Sequence, residues 1–345
     1  MPSETDTSAP RARSKPTLRT VAEETGFAVT TVSRALAGDE RIAEGTRALV
    51  AEAAARVGYV PDRAAQRLRT GRTKVITLLL NTAHEYLGFT NEFLSGMTEA
   101  LRGTGYAVNI TPDTVDDDRM AVVRNILQNR LADGVVFTRT ECFDPRVRFL
   151  LEHDFPFVSH GRTDFTTPHP FVDYDNAAFA RMAVERLASK GRKHICMILP
   201  DEQFTFAQHL RYGFMSAVRE AGLDYTFPGT VDLDSSPDEI ASAMAKILDQ
   251  SARPDGFICV GEVAALATLA ALTDSGVEIG VGADVIAKRA SPIFSQFRPR
   301  IETVFEDLRE TGFEAGALLL KRIDGAEAQG LQVLHKPLKG FALSG

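Results

Sequence analysis

The residues best placed to do chemistry lie near the start of the chain. Residues 17–36 read Thr-Leu-Arg-Thr-Val-Ala-Glu-Glu-Thr-Gly-Phe-Ala-Val-Thr-Thr-Val-Ser-Arg-Ala-Leu. Leu18, Val21, Ala22 and Thr25 recur at the spacing of one helical face. Gly26 follows as a C-cap residue would. After Phe27 a second short helix fits 30–37, with Val32, Ala35 and Leu36 inward. Small Ala22 and Gly26 let the two helices cross closely. Val29, Thr30, Ser33 and Arg34 are then left outward. Thr and Ser hydroxyls reach bases or phosphates, and arginine is the commonest specific donor to guanine. The chemistry implied is base and phosphate contact by a helix-turn-helix whose second helix enters the major groove. A structural helical hairpin fits the spacing alone equally well.

Catalytic chemistry has weaker support. His160, His209 and Asp284 are the raw material of an acid–base set. No Gly-x-Ser-x-Gly elbow, phosphate loop or paired metal-ligand motif accompanies them. His84-Glu85 lacks a second zinc-binding histidine, and Cys142, Cys196 and Cys259 are too scattered for a disulfide framework or a zinc site. No enzyme activity, metal or cofactor is expected.

The elements that must carry these residues fall into two grammars. A third helix fits 46–57, with Leu49, Val50, Ala53 and Val57 apolar and Gly58 closing it. The stretch 61–73 has one large apolar residue, Leu68, among Arg63, Arg67, Arg69 and Arg72. It cannot bury a face of its own. From Val75 short apolar runs alternate with helical segments. Strands are predicted at 75–80, 106–110, 134–138, 155–159, 171–173, 195–199, 256–260, 277–281 and near 301–305. Helices are predicted at 93–101, 119–129, 145–152, 177–190, 211–221, 236–249, 264–275 and 307–323. Such alternation implies parallel sheets with helices on both faces. The length suits two similar lobes with a cleft between them.

With 44% hydrophobic and 25% charged residues, the 345-residue chain has globular composition, which excludes wholesale disorder. No uncharged apolar run reaches the roughly 18–20 residues of a membrane span. The polar first ten residues predict no secretory signal, so a cytoplasmic, nucleoid-associated protein is expected. The net charge of −7 hides a split. Residues 1–74 hold 13 basic and 9 acidic side chains, and the remainder 26 basic and 37 acidic. A basic head on an acidic body is the electrostatic footprint of DNA binding.

Together, Thr17-Leu18, Val21-Ala22, Gly26 and Thr31-Val32-Ser33-Arg34-Ala35-Leu36 resemble the head of the lactose-repressor/galactose-repressor (LacI/GalR) family. The resemblance continues through Arg41-Ile42, Thr46-Arg47, Gly58-Tyr59-Val60-Pro61 and Ala65 to Leu68-Arg69-Thr70-Gly71-Arg72-Thr73. Body segments follow in family order: 133–136, 172–176, 191–195 and 281–284. The resemblance implies an α/β protein with a three-helix head, a hinge helix, and a two-lobed body like a periplasmic binding protein. Residues 1–16 would be a disordered arm, 17–60 the DNA-binding domain, 61–74 the hinge helix and linker, and 75–345 the effector-binding body. The first lobe would take about 75–172 and 306–331, and the second about 173–303 and 334–345.

It also implies residue roles. Thr17, Val29, Thr30, Thr31, Ser33, Arg34, Tyr59, Arg67 and Leu68 would contact DNA. Val29 and Thr30 would set operator choice, and Leu68 would wedge into a central minor-groove step. The expected partners are a palindromic operator, a second copy of the chain, and a small sugar in the cleft, with no membrane. The C-terminal segment 341–345 carries no heptad-patterned helix, so a dimer rather than a tetramer is expected. Sugar binding would rotate one lobe, separate the hinges and release DNA. A sugar phosphate or a nucleobase corepressor is the alternative effector.

Ligands sit beyond strand ends in such sheets. The effector candidates are therefore Asn81 and Phe89, Thr138 or Arg139, His160 and Arg162, Arg211, Asp284 and Glu306. Phe89, Phe204 or Phe206 would supply an aromatic platform, since the chain has no Trp. Three departures from the family pattern stand out. Leu210, between His209 and Arg211, replaces an effector-binding arginine. Gly261-Glu262 replaces Asn-Asp. Ala283-Asp284 replaces a paired Asp-Asp.

Overall fold

The computed structural model describes residues 15–60, 67–68, 70–80, 88–113, 118–338 and 340–343. Asn81, residues 61–66 and 69 of the expected hinge, and most of the expected arm lie outside these. The chain divides into two compact units, Met1–Thr73 and Lys74–Gly345.

The first unit holds helices α1 (Leu18–Thr25), α2 (Val29–Leu36) and α3 (Glu44–Val57). Val21, Ala22, Val32, Ala35, Val50, Ala53 and Ala54 form its small core. Gly26 ends α1 at φ +73, a left-handed turn that glycine adopts without a Cβ clash. Leu49, expected in this core, is 50% exposed, because Val50, Ala53 and Ala54 make the inward face of α3.

The second unit contains two six-stranded sheets. The first carries β1 (Val75–Leu80), β2 (Ala107–Pro112), β3 (Gly134–Phe137), β4 (Phe157–His160), β5 (Phe171–Tyr174) and β11 (Gln332–His335), all parallel, in the order 11-5-4-3-1-2. The second carries β6 (His194–Ile198), β7 (Asp224–Thr226), β8 (Gly256–Cys259), β9 (Asp284–Arg289), β10 (Glu302–Phe305) and β12 (Ala342–Leu343), in the order 12-10-9-8-6-7. Only β12 in it runs antiparallel to its neighbour.

The intervening helices are α4 (Phe89–Ala100), α5 (Arg119–Gln128), α6 (Pro145–Glu152), α7 (Asn176–Ser189), α8 (Thr205–Ala221), α9 (Pro237–Leu248), α10 (Glu262–Asp274) and α11 (Leu308–Ile323). Central strands such as Gly134–Phe137 are buried throughout, as parallel strands covered by helices must be.

Three differences from the sequence reading bear on the site. The strand expected at 277–281 is a turn, broken by Gly276 and Gly280 at positive φ, and the strand begins instead at Asp284. Helix α8 starts at Thr205 rather than 211. Strand β11 adds to β5 of the first sheet, although 334–345 was expected in the second lobe. Short strands β7, β11 and β12 went unread because each is brief and lies at or near a sheet edge.

Helices α4 and α11 pack backbone to backbone. A Cβ at Gly96 would fall 1.8 Å from the Arg309 carbonyl oxygen, and one at Gly312 would fall 2.0 Å from that of Phe93. Only glycine permits that approach. The two helices therefore carry their N-terminal residues, Phe89 and the turn after Glu306, on one rigid support.

Candidate functional site

On the head, α2 presents Val29, Thr30 and Arg34 to solvent, with Thr31 and Ser33 half-buried beside them. Val29 is 43% exposed, an apolar group beside the hydroxyl and guanidinium that suits a thymine methyl. Thr17 is exposed at the N-cap of α1 and its amide donates to Thr20 Oγ1 at 3.1 Å. Tyr59 packs half-buried against the head core, its amide donating to the Ala54 carbonyl at 2.8 Å. Arg47 Nη1 donates to the carbonyls of Asp39 and Ile42 at 3.3 and 3.1 Å, fixing the turn between α2 and α3. Arg67 and Leu68 are helical and exposed, Leu68 by 89%.

In the second unit a cleft opens at the C-terminal ends of the strands. Its walls include Phe89, Thr138, His160 and Glu306, four of the expected effector residues. Glu306 follows β10, is 5% exposed, and its Oε2 lies 2.7 Å from Lys288 Nζ. Lys288 ends the buried run of β9. It donates to Asn176 Oδ1 at 3.0 Å and lies 4.9 Å from the Tyr174 ring centroid. Phe89 stacks on Phe93 at 5.6 Å, and both rings lie 5.6 Å from the His160 ring. Burial pushes the His160 imidazole down to about 4, so it is neutral at pH 7. Phe206, on α8, faces the same space.

Arg162, Arg211 and Asp284 do not line the cleft. Arg162 instead reaches two neighbours, its Nη1 3.3 Å from Asp173 Oδ2 and its Nη2 3.4 Å from His209 Nδ1. Arg211 is exposed on α8 with its guanidinium 5.0 Å from the Phe227 ring. Asp284 opens β9 rather than following a strand, so it sits at the opposite strand end. There it pairs with Lys190 and with Arg192 Nε at 2.6 Å. Leu210 is fully buried core. Glu262, where the family pattern has Asp, accepts from the amides of Ala290 and Ser291 at 3.1 and 2.8 Å and so shapes the turn after β9.

Sequence reasoning missed Lys288, Asp173, Tyr174 and Asn176, all in the cleft wall. The available signal was a lysine directly after the apolar run Val285-Ile286-Ala287, hidden by the misplaced strand. The Tyr174 hydroxyl is buried without a hydrogen-bond partner among the described residues. Burial pushes Asp173 up to about 6, with Arg162 pulling against it. Its folded-state value lies above the ordinary ~3.9. The charged form thus costs stability that is absent below pH ~4 and complete above pH ~6, on the order of 2–3 kcal/mol. Asp173→Asn is expected to raise the melting temperature at pH 8 and leave it unchanged at pH 4. Equal shifts at both pH values would contradict that assignment.

A helix-turn-helix head joined to this two-sheet body defines a class: regulators that pair a DNA-binding domain with a periplasmic-binding-protein-like domain. Residues 17–62 match the bacterial regulatory proteins of the lacI family, and residues 184–339 match the periplasmic binding protein-like domain. The chain is 32% identical over 314 residues to the HTH-type transcriptional regulator AglR of Rhizobium meliloti (strain 1021), covering 89% of this chain and 87% of AglR. The chain belongs to the LacI family. Among solved structures, the CelR–cellobiose complex aligns at TM-score 0.68 and 24% identity, over 96% of this chain and 100% of that one. The lac repressor dimer bound to operator and the anti-inducer ONPF aligns at 0.76 and 20%, over 94% and 97%. Both likenesses are of fold.

Proposed function

We propose that this protein is a sequence-specific repressor that grips a palindromic operator as a homodimer in the cytoplasm and lets go when a small neutral sugar fills the cleft. The head, 17–60, reads DNA through Val29, Thr30, Thr31, Ser33 and Arg34, with Thr17 and Tyr59 supporting. The hinge, 61–74, adds Arg67 and the Leu68 wedge. The body senses the effector.

One observation carries the effector class. The charged groups of the cleft wall have partners of opposite sign: Lys288 with Glu306, Asp173 with Arg162, and Arg139 with Asp234. His160 is neutral. A site balanced in this way favours an uncharged ligand with many hydroxyls over a phosphate. Phe89 and Phe206 offer apolar faces for the C–H surfaces of a sugar ring. Arg211, the group that would recruit a phosphate, lies outside the cleft. The cellobiose complex of CelR, on the same fold, agrees with a mono- or disaccharide here.

The test is thermal stabilisation by a panel of neutral mono- and disaccharides, with sugar phosphates and purines alongside. A ligand at a hundredfold excess over Kd adds ~2.7 kcal/mol. A neutral disaccharide that raises Tm and releases operator in a mobility-shift assay supports the proposal, whereas a hit confined to phosphates or purines overturns it. Glu306→Gln leaves Lys288 buried beside an uncharged amide. It is expected to weaken binding of the active sugar about 10- to 100-fold by calorimetry, the ~1.5–3 kcal/mol of a charged hydrogen bond.

A further inference from the structure

The chain changes sheet after β5 and after β11, and passes back to the first lobe between β10 and α11. Elsewhere the lobes touch without any covalent link, and one such contact is built with unusual care. The Thr205 amide, at the start of α8 in the second lobe, donates to the Thr140 carbonyl of the first at 2.9 Å. The Thr205 hydroxyl donates to the same oxygen at 3.0 Å. Glu141 and Phe204 form an antiparallel bridge beside it.

Arg139 stands next to this seam and lines the cleft. Its backbone sits at φ +55, a region costly for a residue with a Cβ. Such strain persists where the surroundings over-determine it, and it gathers at functional sites. Two arginines hold the same residue: Arg119 Nη2 and Arg146 Nη2 donate to the Arg139 carbonyl at 3.1 and 3.0 Å. The side chain then leaves the first lobe. Its guanidinium lies 5.1 Å from the Phe204 ring centroid and bonds Asp234 through both of its outer nitrogens. Asp234 is itself fixed, its amide donating to Asp232 Oδ1 at 2.8 Å beside buried Leu233. A planar fork with a fixed base and a fixed partner is a geometry that tolerates little displacement.

We propose that Arg139 is the positioning residue of the cleft, and that its pair with Asp234 is a latch setting how often the two lobes are closed. Opening about the three crossings draws Asp234 and Phe204 away from Arg139 together, so the latch breaks in one step. The proposal goes beyond effector choice, and its test needs no effector.

The Thr205 amide reports closure directly, because its acceptor belongs to the other lobe. Hydrogen exchange on the full-length protein is the measurement. Asp234→Ala, which alters a partly exposed residue, is expected to speed exchange at Thr205 at least tenfold. The amides of Val136 in the first sheet and Ile258 in the second should keep their rates. Unchanged protection at Thr205 overturns the latch. So does a rise shared by Val136 and Ile258, which would make the pair a support of the fold instead.

Discussion

Arg146→Met is expected to destabilise the second unit by about 3–5 kcal/mol, the toll of stranding buried carboxylates. Arg146 is 1% exposed and Asp144 is 0% exposed. The guanidinium holds Asp144 at 2.7 Å and Asp113 at 2.6 Å, and it donates to the carbonyls of Thr138 and Arg139. Burial opposes the charge on Asp144, but the charge and hydrogen bonds of Arg146 outweigh it and hold the carboxyl below its ordinary range. That stability is present above pH ~4, the unfolded value, and is lost as pH falls through the lower folded one. The deficit of the variant should therefore be largest near neutrality and shrink in acid. Urea denaturation at pH 7 and in a series of buffers below pH ~4 checks both parts. A loss under 1 kcal/mol at pH 7 would show that the network is solvated after all. Replacing Asp144 with Leu in the same variant should restore part of the loss, since an unpaired charge is the main penalty.

Leu68→Ala carries the second large effect, on DNA rather than on folding. Leu68 is 89% exposed within its own chain, so trimming it removes nothing from a core. A wedge that unstacks a base step gives up its apolar contact when shortened, ~2–3 kcal/mol per seated leucine. Operator affinity is expected to fall about a thousandfold or more, because the proposed dimer loses two wedges, with effector affinity, melting temperature and dimerisation unchanged. Fluorescence anisotropy on operator DNA and sedimentation of the free protein read these separately. Loss of dimerisation instead would remove the hinge assignment. The slope of log affinity against log salt should stay as it is, because Leu68 neutralises no phosphate.

Much of the architecture is legible in the chain because parallel strands buried on both faces leave apolar runs that no other element mimics. Val75–Leu80 and helix Pro145–Glu152 fall where the pattern places them. Residues 277–281 are rich in Val and Ile, yet glycines at 276, 280 and 282 break the run. The true strand looks polar because Asp284, Lys288 and Arg289 occupy half of its six positions. Those side chains are tolerated through partners far away in sequence: Lys190 and Arg192 for Asp284, Glu306 and Asn176 for Lys288. Local propensity has no access to such pairings. The residue that disguised the strand is also one that lines the cleft, as expected where function overrides local rules. Phe89, Thr138, His160 and Glu306 were recoverable because they follow strand ends whose positions were read nearly correctly. Arg211 and Asp284 misled because neither does.

The glycine seam between α4 and α11 bears on how such a protein changes the ligand of its cleft. Phe89 and the turn after Glu306 ride on helices whose backbones touch at Gly96 and Gly312. Neither helix has room to slide or to take on a methyl group. A descendant that adopts a different ligand must therefore re-equip the cleft by exchanging side chains, not by shifting the scaffold beneath them. Libraries built to retune effector choice should vary Thr90, Asn176 and Phe206, and leave the two glycines alone.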